Sequence, residues 1–196
     1  METEHKEISA GMFPQLYEML GINVNELRCV MADLEVEPFQ EMIDIPEDSL
    51  YYTEDVNQPW VNGAVGKQNP HVSVLYGLMD SFEVEFAVKE VLTGWTLDEI
   101  TIEEVGMFEK EDYYCVIGHV AESEQLEEGF QRLSLLPHIN TYGEYKPHVT
   151  LAYVKKTASI EPIIANLNKA FAGSTHKVRD INMGTTKKVI ELKDIK

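Results

Sequence analysis

Pro70-His71-Val72-Ser73-Val74-Leu75-Tyr76 is a seven-residue stretch whose pattern returns as Pro147-His148-Val149-Thr150-Leu151-Ala152-Tyr153. β-Branched and apolar residues dominate each copy, and such residues favour strands. Each copy begins with a proline, which lacks an N–H and is tolerated best at the start of a strand. The sequence therefore predicts two β-strands that carry the same side-chain pattern.

Each predicted strand presents an imidazole and a hydroxyl on one face. Side chains alternate along a strand, so His71 and Ser73 point to the same side, and His148 and Thr150 repeat this arrangement. Phosphodiester cleavage needs a proton acceptor and a proton donor, and histidine, with a pKa of about 6.5, can be either. The hydroxyls can hydrogen-bond the non-bridging oxygens. The pattern indicates acid/base cleavage of a phosphodiester without a metal, and it leaves open which histidine is the base.

The paired motifs resemble those of the two-histidine (2H, LigT-like) phosphoesterases, which are named for two His-x-Thr/Ser motifs flanked by hydrophobic residues. The resemblance runs from about residue 27 to the C-terminus, and Ser73 stands where threonine is commoner in the family. It implies an α+β fold with two duplicated β-sheet lobes, flanked by helices, around a central cleft. It also implies that the catalytic residues, acting without a cofactor, are His71, Ser73, His148 and Thr150.

The run from Pro70 to Gly77 looks most like the phage-encoded branch of this family, some members of which degrade the cyclic nucleotides of bacterial immunity. The resemblance therefore implies a 2′,3′-cyclic phosphate, a 2′-5′ linkage or a cyclic signalling nucleotide as the substrate. An anti-defence role in the host cytoplasm is one form of this hypothesis. A nucleotide-sequestering protein without turnover, an RNA 2′-5′ ligase-like enzyme and a purely structural role stay open as alternatives.

The chain is strongly acidic, with 34 acidic and 16 basic residues and a formal net charge of −18. Proteins that track long nucleic acids usually display a basic stripe, so long RNA or DNA is not the expected substrate. A small nucleotide or short oligonucleotide is compatible with this charge, because a few local cations outweigh a screened global field at contact distance. The expected phosphate-binding lysines are Lys67 and Lys146, which precede the two histidines. Lys155 and Lys156 follow the second motif.

Aromatic side chains can hold a nucleobase by stacking, without demanding a particular base. Tyr145, just before the second motif, is the expected substrate-binding aromatic residue. The wider set of candidate stacking platforms is Trp60, Trp95, Tyr142 and Tyr145. Strand alternation sends Tyr76 and Tyr153 away from the histidines, so we expect them to pack. The histidines without a repeated context are expected to be ordinary core or surface residues: His5, His119, His138 and His176.

The rest of the sequence predicts one domain over residues 28–196, preceded by a helical extension over residues 1–27. Further strands are expected at 28–34, 100–108, 113–120, 177–183 and 189–192. Helices are expected at 83–92, 123–133 and 160–171, with Ser123 as the N-cap of the second. Residues 35–69 are acidic and irregular and contain aromatic residues, so they are a candidate lid or, as the alternative, a disordered segment.

Composition is ordinary for a globular protein, with 44% hydrophobic residues, enough for one good core. No apolar run approaches the about 20 residues that span a bilayer, and the acidic N-terminus is unlike a signal peptide. We therefore expect a cytoplasmic protein without a membrane partner. Cys29 and Cys115 lie in predicted strands, where buried free thiols are expected, and neither a disulfide framework nor a zinc site is indicated.

Overall fold

The computed structural model describes residues 27–55, 58–81, 83–139, 144–184 and 189–192. The strands are β1 (Arg28–Leu34), β2 (His71–Leu78), β3 (Glu99–Glu109), β4 (Tyr113–Val120), β5 (His148–Lys155), β6 (Ser174–Gly184) and β7 (Val189–Glu191). The α-helices are α1 (Val36–Met42), α2 (Val84–Leu92), α3 (Glu124–Leu133) and α4 (Ile160–Phe171). These elements confirm the predicted strands and helices, while the predicted N-terminal helix lies outside the described residues.

The strands form one antiparallel sheet in the order β1-β2-β5-β4-β3-β6-β7. Strand β1 pairs with β6 as well as with β2, so six strands close into a ring. The long strand β6 makes this closure, because its first four residues pair with β3 and the stretch from Val178 to Gly184 pairs with β1. The α+β fold class is confirmed, but at the level of strand pairing two separate lobes are not resolved.

The two motif strands meet at a narrow contact in this ring. A single residue pair, Val72 opposite Val149, joins β2 and β5, whereas β4 and β5 pair along most of their length. Both valines are fully buried, so their neighbours in sequence point to the other face of the sheet. The meeting point therefore brings the two His-x-Ser/Thr motifs side by side.

The helices cover the buried face of the sheet with apolar side chains at helical spacing. Phe39 of α1 and Phe171 of α4 are fully buried and pack with their rings 5.3 Å apart. Each such side chain stabilises the fold by about 1.5–3 kcal/mol through burial. Ser123 accepts a hydrogen bond from the Leu126 N–H and so caps α3 as predicted.

The stretch between β1 and β2 is more regular than the sequence suggested. Residues 36–42 form helix α1, so the expectation of an irregular segment is wrong there. Further along, the Tyr51 N–H donates to the Tyr153 carbonyl and the Tyr153 N–H donates to the Gly63 carbonyl, at 2.9 and 2.8 Å. These backbone bonds hold the described part of this stretch against β5.

Candidate functional site

A cleft of about 570 Å³ opens beside the contact between β2 and β5. Three of the four predicted catalytic residues line it, namely Ser73, His148 and Thr150. His71 is not among the lining residues, but it lies one residue from the Val72–Val149 contact. In an antiparallel pair with this register, His71 faces Thr150 across the strands and Ser73 faces His148. The fold thus gathers both motifs at one place.

Both motif imidazoles are anchored in the same way. The Nδ1 atom of His71 donates to the Asn69 carbonyl at 3.0 Å, and that of His148 donates to the Lys146 carbonyl at 2.9 Å. A carbonyl oxygen can only accept, so the proton of each neutral ring lies on Nδ1. In each neutral ring, Nε2 is therefore the nitrogen that carries no proton and can accept one.

The two hydroxyls also have matching partners, which sequence reasoning did not foresee. The Cys29 thiol donates to the Ser73 hydroxyl oxygen at 3.3 Å, and a hydrogen bond links Cys115 to Thr150. Burial raises the pKa of both thiols to about 11, so each is a neutral donor near pH 7. A hydroxyl that accepts from a thiol keeps its own proton for donation to another acceptor. The cysteines are free, as predicted.

The motif tyrosines lie on the face of the sheet that lines the cleft, so their predicted orientation is wrong, although Tyr153 is buried in an apolar cluster and packs as expected. Strand β1 pairs with β2 through a register shift that leaves Val74 without a partner, and β4 pairs with β5 through a shift that leaves Leu151 without one. One extra residue reverses the alternation beyond it. Tyr76 and Tyr153 consequently line the cleft together with the hydroxyl residues.

The two histidines differ in the residue that lies opposite on the neighbouring strand. Asp33 of β1 lies opposite His71, and His119 of β4 lies opposite His148. Burial lowers the pKa of His148, and positive charge on His119, His71 or Lys110 lowers it further. The Phe108 ring packs edge-on against the His148 ring at 5.2 Å.

The predicted lysines occupy different places. Lys146 lines the cleft, with its side chain 68% exposed and 3.3 Å from the Glu144 carboxylate. Lys67 ends a short 3-10 turn and is not among the lining residues. Lys110, in the turn between β3 and β4, lines the cleft instead, and its ammonium lies 5.9 Å from the Phe108 ring centre. Nothing in the local sequence marks Lys110, because strand pairing alone brings this turn to β5.

Lys155 and Lys156 are engaged away from the cleft. The Lys155 ammonium donates to the Asp48 carbonyl at 2.7 Å. The Lys156 ammonium pairs with the Glu109 carboxylate and lies 4.3 Å above the Tyr114 ring. Neither lysine is a lining residue.

Aromatic rings form much of the cleft wall. Tyr145 stacks on Phe130 with the ring centres 4.2 Å apart, and its hydroxyl donates to the Ser73 carbonyl at 3.1 Å. Trp60 lines the cleft and is 45% exposed. Trp95 is buried in the core and donates to the Gln125 carbonyl, which excludes it as a stacking platform. The fourth candidate platform, Tyr142, lies outside the described residues.

Of the remaining histidines, one lines the cleft and one lies in the core, while His119 is a half-buried residue of β4 and His5 lies outside the described residues. His138 lines the cleft, with its Nδ1 donating to the Leu136 carbonyl at 2.9 Å. His176 is buried beside Phe39 and Phe171, as expected of a core histidine. Within the described ranges, no group of three or more His, Cys, Asp or Glu residues could hold a metal ion. In the same part of the chain, no helix has the length and apolar character that crossing a membrane requires.

Several solved structures share this fold, and the structural match covers 85–86% of the chain. Usb1 from Kluyveromyces marxianus matches with a TM-score of 0.53 and 9% identity, covering 86% of this chain and 98% of that one. Its complex with uridine monophosphate matches with a TM-score of 0.52 and 10% identity over the same shares. A crystal structure described as a phosphoesterase matches with a TM-score of 0.53 and 14% identity, covering 85% and 93%. At these identities the likeness concerns the fold.

The sequence itself carries the family assignment. No curated protein sequence matches at a significant level. The profile of the 2′-5′ RNA ligase superfamily matches residues 53–189, which is well over half of the chain and includes both motifs. This match confirms the resemblance to 2H, LigT-like proteins at the level of the superfamily. The chain belongs to the 2′-5′ RNA ligase superfamily.

Proposed function

We propose that the chain is a phosphodiesterase that cleaves a nucleotide or short oligonucleotide by two-histidine acid/base catalysis. The observation that carries this proposal is the meeting of two equivalent imidazole–hydroxyl pairs at the β2–β5 contact. Each imidazole has its Nδ1 tied to a backbone carbonyl, and each hydroxyl accepts or shares a hydrogen bond with a cysteine. Such fixed orientation is what acid/base catalysis requires.

In this mechanism one Nε2 removes a proton from water or a ribose hydroxyl as that oxygen attacks phosphorus. The other imidazole donates its Nε2 proton to the oxygen that leaves. Each proton transfer typically contributes about 10²- to 10⁴-fold to the rate. Ser73 and Thr150 donate to the non-bridging oxygens, where charge increases in the transition state.

The cleft suits a small anionic substrate that carries a base. Its volume of about 570 Å³ lies within the range of small-molecule sites. Two lysines, Lys110 and Lys146, line it within an otherwise acidic chain, and they can bind phosphate locally. Tyr145 and Trp60 offer aromatic surface for a base. The similar Usb1 structure holds uridine monophosphate, which supports a nucleotide ligand here.

A 2′,3′-cyclic phosphate, a 2′-5′ linkage and a cyclic signalling nucleotide are the substrates that we propose to test first. A phage origin, an anti-defence role and a cytoplasmic location rest on the sequence resemblance and composition alone. We also propose that the domain over residues 28–196 arose by duplication into two lobes. The matched registers and matched bulges of β1–β2 and β4–β5 support this.

Incubation of the purified protein in EDTA with these three substrate classes tests the proposal. We expect cleavage by the wild type and a loss of about 10²- to 10⁴-fold in kcat for His71→Ala and for His148→Ala. The thermal unfolding midpoint of each variant, measured alongside, separates lost chemistry from lost folding.

The same assay distinguishes the competing functions. Recovery of an intact nucleotide in a stoichiometric complex would show that the protein sequesters a nucleotide without cleaving it. Joining of 2′,3′-cyclic and 5′-hydroxyl RNA ends would favour a ligase-like activity. Unchanged turnover in both alanine variants would overturn the two-histidine mechanism.

A further inference from the structure

We propose that His138 is a third histidine of the cleft, whose Nε2 recognises the polar edge of a nucleobase held at the β2 end of the cleft. Leu75, Tyr76 and Phe130 line this end. The inference rests on the proposed function and concerns a part of the substrate that the two motifs do not bind. His138 is a substrate-binding residue in this scheme and takes no part in proton transfer.

His138 is anchored in the same way as the two motif histidines. The chain has three Pro-His dipeptides, Pro70-His71, Pro137-His138 and Pro147-His148. In each, the histidine Nδ1 donates to the carbonyl of the residue before the proline, at 2.9–3.0 Å. A residue before proline is restricted to extended backbone, which limits where its carbonyl can point. With Nδ1 donating to a carbonyl, the Nε2 of the neutral ring is an acceptor.

His138 lacks the other features of a motif histidine. Residue 140 is an asparagine, so no hydroxyl follows two positions later. His138 forms a β-bridge with Leu78, which lies five residues along β2 from Ser73. Five strand residues span roughly 16 Å, whereas a general acid or base must lie within about 3 Å of the atom that it serves. His138 is therefore placed to contact a part of the substrate that is remote from the scissile phosphate.

Backbone hydrogen bonds fix His138 at this end of the cleft. The Ile139 N–H donates to the Gly77 carbonyl at 2.9 Å, and the Met79 N–H donates to the Pro137 carbonyl at 3.1 Å. Gly77 has a φ of +101°, and a Cβ there would collide with the Ile139 carbonyl oxygen. Glycine permits both this conformation and this close approach. The backbone on both sides of the imidazole is therefore held against the end of β2.

The β2 end of the cleft has the aromatic surface of a base site. Phe130 of α3 and Tyr145 stack in parallel with their ring centres 4.2 Å apart, and both line the cleft. Helix α3 packs on β2, and the Tyr145 hydroxyl donates to the Ser73 carbonyl, so this stack lies on the same side as His138. Aromatic rings hold any base by stacking. Selectivity between bases needs a polar atom that meets the base edge.

The Nε2 of His138 is available to such an edge. The ring is half-buried and lines the cleft, while its Nδ1 is occupied by the chain's own backbone. Among the residues that the structure describes, none forms a hydrogen bond with this Nε2. Adenine and cytosine present an exocyclic amino group, which is the donor that an acceptor nitrogen requires. We therefore expect the cleft to prefer a base that carries this amino group.

Two nucleotides that differ by one amino group test the inference. Adenosine 5′-monophosphate carries the 6-amino group, and purine riboside 5′-monophosphate lacks it. We expect the wild type to bind the first about 2- to 10-fold more tightly, which is the typical net effect of one hydrogen bond. His138→Phe keeps an aromatic ring without an acceptor and should bind both nucleotides equally. His138→Gln, whose side-chain carbonyl can accept, should restore part of the preference. NMR titrations at pH 8 measure each Kd.

Inorganic phosphate and Leu135→Ala are the controls. The wild type and His138→Phe should bind inorganic phosphate equally, because His138 is remote from the scissile phosphate. Leu135 is 80% exposed and is not among the lining residues, so Leu135→Ala should keep the wild-type preference. In turnover of the preferred substrate, His138→Phe should raise KM and leave kcat unchanged.

The outcomes that contradict the inference are distinct from those that contradict the proposed function. Equal binding of the two nucleotides by the wild type, or a preference that survives in His138→Phe, would overturn the inference. A weaker affinity of His138→Phe for inorganic phosphate would make His138 a phosphate-binding residue instead. A 10²-fold loss of kcat would show a role in proton transfer and also contradict the inference. Failure of the wild type to bind or cleave any nucleotide would refute the proposed function itself.

Discussion

The first motif unit (β1 and β2) and the second motif unit (β4 and β5) repeat one backbone design with different chemistry beside it. In each unit a cysteine lies opposite the motif tyrosine, and a bulge lies between that tyrosine and the hydroxyl residue. The units differ at the position opposite the histidine, which is Asp33 in the first and His119 in the second. The comparison teaches that strand pairing can repeat a histidine and a hydroxyl in the same backbone setting, while the side chain opposite each histidine differs.

After the histidines, the two motif hydroxyls are the residues whose substitution should lower activity most, and they test whether the two motif units are functionally equivalent. We expect Ser73→Ala and Thr150→Val each to lower kcat by about 10²-fold, because each removes one donor to the non-bridging oxygens. Steady-state kinetics on the preferred substrate measures the effect. Thr150→Ser is the matched control and should keep most of the activity. A loss confined to one of the two positions would break the functional equivalence of the units.

The thiols beside the two motif hydroxyls should make the fold sensitive to alkaline pH. Folding raises the pKa of Cys29 and Cys115 from 9.0 to about 11, so their contribution to stability is complete below pH 9 and is lost as the pH rises towards 11. A shift of this size corresponds to about 2–3 kcal/mol per thiol. Urea unfolding between pH 7 and 11 measures this loss.

A double variant, Cys29→Ala with Cys115→Ala, is the control for the alkaline experiment. Its free energy of unfolding is expected to be lower at neutral pH and to decline less steeply between pH 9 and 11. The single variants Cys29→Ala and Cys115→Ala compare the two units. If only one of them declines less steeply with pH than the wild type, the two thiols have different environments. If the free energy of unfolding declines equally with pH in the wild type and the double variant, the thiols do not cause the loss of stability at alkaline pH.

The lysines should give the smallest effects. Lys110→Ala and Lys146→Ala are expected to raise KM by about 10-fold or less, because exposed ammonium groups contribute modestly in a screened solvent. Lys67→Ala is the matched control, since Lys67 does not line the cleft. Lys110→Ala should also raise the pKa of His148, followed by an NMR titration of the imidazole, because positive charge on Lys110 lowers that pKa. A KM increase in Lys67→Ala equal to that of the cleft lysines would contradict this placement.

The local sequence correctly predicted the secondary-structure elements and the strands that carry the motifs. The β-branched runs predicted β2 and β5, and Ser123 predicted the start of α3, because strand propensity and capping are local properties. The direction of Tyr76 and Tyr153 was mispredicted, since a bulge arises from pairing with a neighbouring strand and leaves no mark in the strand itself.

The sequence by itself determined that this protein carries two His-x-Ser/Thr strands, an acidic surface and the membership of its superfamily. Only the tertiary structure decided which side chains surround them. Asp33, His119, both cysteines and Lys110 lie far from their partner histidine or hydroxyl in the chain, and the closed ring of strands brings them together. Strand register sets cross-strand contacts, and register depends on the whole sheet, so these neighbours could not be read from a local pattern.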